Sequence, residues 1–108
     1  MKEKFDNLIR NMSLTEKASL LAGADMWHTV AIERLDITGI QVSDGPNGVR
    51  GNDDNLGDTS ICFPVGIAMG ATWNLELIEQ VGATLAAEVR RKGAHVLLAP
   101  TVNIHRTP

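Results

Sequence analysis

The sequence predicts an α/β protein built on a parallel βαβ unit that forms the opening of a larger domain. Three observations carry this. ITGIQVSD places apolar β-formers at Ile37, Ile40 and Val42, a short strand ending near Ser43. Leu75, Ile78, Val81, Leu85 and Val89 then recur at helical spacing, with Asn74 as the cap and Gly93 as the stop. HVLLAP follows with a continuous apolar run from Val96 to Ala99, ended by Pro100, the pattern of a strand buried on both faces. Strand, loop, helix and strand in that order imply a parallel pair. Two such strands neither close a barrel nor cover a sheet, and alone they leave apolar surface and an unpaired edge exposed.

Residues 1–37 read as a leading segment with a short helix, and residues 38–108 as the first strand, a long loop, the helix and the second strand. In MSLTEKASLLAG, Ser13 and Glu16 form a capping box. Leu14, Ala18 and Leu21 give one apolar face, Met12 stands ready to staple onto it, and Gly23 is the expected stop. Ala24 to Ile37 reads as loop with a helical turn at most. From Gly45 to Trp73 the chain is rich in Gly, Asp and Asn, and a connection of that length is usually functional. Its ICFPVGIAMGATW portion is apolar enough to pack back as an ordered loop.

Composition narrows the class. The chain has 108 residues, 44% hydrophobic and 21% charged, with a net charge of -3, as for a soluble globular domain. Nucleic-acid and anionic-membrane binding call for clustered Lys and Arg, which are missing. The one basic run, Arg90, Arg91 and Lys92, falls where cations complement a helix dipole. Cys62 is single, so it forms no internal disulfide, and its apolar neighbours suggest a small buried side chain. The first residues hold no secretory signal or membrane anchor, which leads to the expectation of a cytoplasmic protein.

The most informative stretch is SDGPNGVR, residues 43–50. Ligands of parallel α/β proteins bind at the carboxyl ends of the strands. Asp44 lies at the first such end, and the polar residues after Pro100 lie at the second. Gly45, Pro46 and Gly48 make a stiff turn that aims Asp44 and brings Arg50 to the same mouth. A carboxylate and a planar guanidinium suit a neutral polyhydroxyl ligand. Equally, Asp44 could cap the turn and pair with Arg50 to tie the loop down. These eight residues alone leave both readings open. No phosphate-loop pattern occurs.

Four segments in order, MSLTEKASLLAGADMWHT, VSDGPNGVRG, CFPVGIAMGATWN and EVRRKGAHVLLAPTVNIHRTP, resemble the beginning of family 3 glycoside hydrolases in their β-glucosidase branch. The resemblance covers nearly everything after the first ten residues. It implies that residues 1–108 are the N-terminal fragment of a (β/α)8-like (TIM) barrel, followed in the whole protein by an α/β sandwich domain. It also implies hydrolysis of terminal non-reducing β-D-glucosyl residues with retention, on a small carbohydrate substrate and without a cofactor. By motif match, Asp44 grips sugar hydroxyls in the first subsite, Arg50 lines that subsite, and Arg106 lies near the pocket. The nucleophile and acid/base match no position here, so the chain alone is expected to be inactive. A truncated, non-catalytic fragment with weak carbohydrate binding, or a β-xylosidase-like member of the family, are the alternatives.

Other polar residues carry less. Asp53, Asp54 and Asp58 lack EF-hand spacing and read as a solvated acidic loop. His28, His95 and His105 share no ligand spacing, so no metal site is expected. His95 reads as a hydrogen-bonded structural residue, and His105 stands at the second strand's mouth. Trp73 is expected in the core beside the helix cap, while Trp27 suits either the core or a sugar face.

Overall fold

The computed structural model describes residues 2–52, 58–103 and 106–107. They form two compact units, Met1–Gln41 and Val42–Pro108.

In the first unit, α1 (Lys2–Asn11) carries Phe5, Leu8 and Ile9 at helical spacing. α2 (Leu14–Ser19) opens on the expected capping box, with Glu16 N–H donating to Ser13 Oγ at 3.2 Å and Ser13 N–H to Glu16 Oε2 at 2.7 Å. The helix ends earlier than its apolar spacing suggests. Leu21 and Ala22 donate to Ala18 and Ser19, so three-residue turns close the end before Gly23 is reached. Gly23 instead bridges Thr29. Leu14 and Leu21, expected on a packed face, are 83% and 92% exposed, and the buried apolar residues here are Trp27 and Ile32. A 3-10 turn, Glu33–Leu35, closes through left-handed Asp36 so that Ile32 pairs with Ile37. The Arg34 guanidinium reaches both Glu16 oxygens, at 2.6 and 2.5 Å, and the Asn11 carbonyl at 2.9 Å, fastening the junction of the two helices.

The expected strand from Ile37 divides its pairing. Ile37 and Gln41 form antiparallel bridges to Ile32 and His28, and only β1 (Val42–Ser43) enters the parallel ladder. β2 (Val96–Leu97) lies beside it, with Val42 opposite Val96 and Ser43 opposite Leu97. Between them run α3 (Gly66–Ala71), a short helix inside the expected loop, and α4 (Leu75–Arg91). Asn74 caps α4, its Oδ1 accepting from Leu77 N–H at 3.0 Å. Val49, Leu85, Val89 and Ala94 form the core of this unit, joined by Phe63, Val81 and Leu97.

Three burial expectations are corrected. Trp73 is 91% exposed, because its left-handed backbone makes the corner between α3 and α4 and leaves the ring outside. Cys62 is exposed, since its neighbour Phe63 is the residue of this stretch that packs on the core. Val96 and Leu98 are about half exposed, as a sheet of two strands leaves them without cover. Apolar surface is left open along this sheet, as its incompleteness implied.

Candidate functional site

The site begins at the carboxyl end of β1. Ser43 is fully buried, and its hydroxyl donates to the Asp44 carbonyl at 2.9 Å while accepting from Gly51 N–H at 2.9 Å. Arg50 N–H donates to the Asp44 carbonyl at 3.0 Å, and Gly48 N–H to the Gly45 carbonyl at 3.2 Å. The turn is therefore closed by main chain and by Ser43. Gly45 adopts φ +110, where a side chain would be strained and would meet the Gly48 carbonyl. A Cβ on Gly48 would meet the Ile61 carbonyl. Val49 anchors the turn in the core with no exposed surface.

Asp44 and Arg50 both end in exposed side chains. No ion pair joins them, and no described residue hydrogen-bonds the Asp44 carboxylate. The reading in which Asp44 and Arg50 tie the loop by pairing with each other is thus absent from this structure. What ties the loop is Ser43, Val49 and the neighbouring strap of residues 58–63. Phe63 N–H donates to the Asn47 carbonyl at 2.6 Å, and Ser60 Oγ to the Val49 carbonyl at 2.5 Å.

Because β1 and β2 are parallel, the residues after Leu97 leave the sheet at the same end as Asp44. Thr101, Val102, Asn103 and Arg106 are all exposed. Asp53, Asp54 and His105 lie outside the described residues. His95 is exposed and has an interaction partner. Among the described residues no three His, Cys, Asp or Glu gather as for a metal, and no helix is long and apolar enough to cross a membrane.

A concavity of about 610 Å³ is an apolar groove between α4 and β2 lined by Ile78, Val81, Leu85, Leu97 and Ala99 among others. A smaller hollow of about 440 Å³ lies over Gly45–Gly48 and Ser60–Cys62. Asp44 lines neither, and its side chain is exposed at the carboxyl end of β1.

Sequence reasoning missed the residues that brace this rim. Lys92, read as a dipole partner, is 4% exposed and buried under the turn. The available signal was its phase: Leu85, Val89 and Lys92 fall on one helical face, so a lysine stands where the apolar stripe continues.

The model of the Glycosyl hydrolase family 3 N terminal domain matches residues 7–108. A β-glucosidase of Rhizobium radiobacter is 57% identical over 103 residues, covering 94% of this chain and 13% of that protein. Among solved structures, β-glucosidase from Kluyveromyces marxianus in complex with glucose superposes with a TM-score of 0.84 at 43% identity, over 92% of this chain and 12% of that one. β-Glucosidase 3B from Thermotoga neapolitana in complex with glucose gives 0.79 at 33% identity, over 95% of this chain and 17% of that one. The chain thus spans about one-eighth of the length of the curated relative it matches at 13%.

Proposed function

The chain belongs to glycosyl hydrolase family 3, and from that premise we propose that the whole protein hydrolyses terminal non-reducing β-D-glucosyl residues with retention. Asp44 accepts hydrogen bonds from hydroxyls of the non-reducing sugar, Arg50 lines the same subsite, and Arg106 lies near the pocket. Retention requires a nucleophile and an acid/base about 5–5.5 Å apart; in this reading both come from outside residues 1–108, and a sandwich domain follows the barrel. Asp44 is a binding group whose hydrogen bonds gain strength as the transition state develops.

The observation that supports this reading best is the division of labour within Asp44. Its carbonyl closes the turn, while its carboxylate is exposed with no bond to any described residue. A carboxylate held by its own backbone at a strand's carboxyl end is arranged to accept from a ligand. Two charge-assisted bonds at about 1.5–3 kcal/mol each correspond to roughly 10²- to 10⁴-fold in kcat/KM. Asp44→Ala in the whole enzyme is expected to lose that much on an aryl β-glucoside with its melting temperature unchanged. Near-normal turnover would remove Asp44 from the subsite.

A further inference from the structure

The last turn of α4 does more than complement a helix dipole. Arg91 donates to the Thr59 carbonyl at 2.9 Å, and Glu88 Oε1 accepts from Ile61 N–H at 3.0 Å. Lys92 Nζ donates to the Val49 carbonyl at 2.7 Å and to Ser60 Oγ at 2.6 Å, with the Arg50 carbonyl farther off at 3.4 Å. One helical turn thus fastens both the limb of the Asp44 turn that leads into Arg50 and the strap that holds Asn47. The partners lie far apart in sequence, so nothing local imposes this convergence.

Burying an ammonium group costs several kcal/mol unless its protons are met. An apolar side chain of similar length would fill the space without that cost, but the Val49 carbonyl would lose its ammonium donor. Lysine at this position therefore specifies where the carbonyls of Val49 and Arg50 sit. We infer that Lys92 is a positioning residue of the glucose subsite, setting the direction of Arg50 and of the Asp44 carboxylate without touching sugar. This rests on the sugar-binding reading of Asp44.

The test is a double-mutant cycle in the whole enzyme between Lys92→Met and Asp44→Asn. The readouts are kcat and KM for an aryl β-glucoside, inhibition by glucose, and melting temperature. Misplacing binding groups by about an ångström costs up to about 100-fold, so Lys92→Met is expected to raise KM and the glucose inhibition constant by up to that factor. In the Asp44→Asn background it should add little, since both changes spoil the same contacts. A purely structural lysine would lower the melting temperature and the active fraction at unaltered KM, or its effect would add in full; either result overturns the inference. If Asp44→Asn is itself silent, the sugar-binding reading fails and the positioning role with it. If Lys92→Met alone is silent, only the positioning role fails. Should Lys92→Met not fold, Ser60→Ala removes one of its acceptors: a several-fold rise in KM at constant melting temperature supports the role, and wild-type kinetics overturns it.

Discussion

Gly45 offers the sharpest check on how the turn is built. An alanine there must hold φ +110, and its Cβ would lie 2.8 Å from the Gly48 carbonyl carbon and 3.0 Å from the Arg50 amide nitrogen. Carbon–carbon contacts are optimal at about 3.5–4.0 Å, and the obstacles are backbone atoms that no rotamer change can move. The turn must open by on the order of an ångström, which in a binding site costs up to about 100-fold. The left-handed strain adds about 1–3 kcal/mol against folding. Gly82 is the control, since it sits inside α4 with nothing within 4 Å of its added Cβ. Gly82→Ala should be neutral or stabilising by about 0.5–1 kcal/mol, because glycine weakens a helix interior. The assay is chemical denaturation together with glucose inhibition and kcat/KM in the whole enzyme. If Gly45→Ala binds glucose as the wild type does, the turn is not a rigid mount, and Asp44 does not depend on it.

Two further outcomes concern stability. Hydrogen bonds from Arg34, then from the Ser13 backbone, hold the Glu16 carboxyl at about 2 against an ordinary 4.5. A carboxyl depressed on folding stabilises the native state above its unfolded value and ceases to do so as pH falls through its folded value. The gap in melting temperature between wild type and Glu16→Gln should therefore be full above pH 4.5 and close towards pH 2; a gap independent of pH would mean that the pair contributes nothing through charge. Asn74→Ala removes the side-chain acceptor for Leu77 N–H and should lower stability by about 1 kcal/mol, read as a shift in the denaturation midpoint with kinetics unchanged.

Elements that depend on local chemistry were legible in the sequence. The capping box at Ser13, the Asn74 cap and the helix to Arg91 follow from side chains acting within a few residues, and the parallel pair follows from the helix that crosses between its strands. What misled was partner choice. Ile37 and Ile40 are strand formers, yet their main-chain partners are Ile32 and Thr29 rather than the parallel neighbour, which periodicity does not specify. Trp73 and Leu14 suggest core by hydrophobicity alone, but burial depends on what else is present to cover them. α3 was hidden because Gly66 and Gly70 weaken its helical signal. Asp44 could be nominated from a motif beside a strand end. The burial of Lys92 could be read from its phase on α4, but its partners could not, because they lie 32 to 43 residues away.

That distance bears on why the turn keeps its shape on so small a core. Val49 is the apolar anchor of the turn, and burying a valine contributes about 1.5–3 kcal/mol. Ordering a residue's backbone costs about 1–2 kcal/mol, so one anchor offsets only one or two of the eight residues in SDGPNGVR. The remaining order must come from bonds that fix direction as well as position. Ser43 supplies them from β1, and Glu88 and Lys92 act from the far side, through the strap at Ile61 and directly on Val49. Hydrogen bonds to charged groups contribute about 1.5–3 kcal/mol each, comparable with the Val49 anchor, and unlike it they are directional. The polar clamp therefore decides the geometry of the rim, and the apolar core decides only that the turn lies against α4.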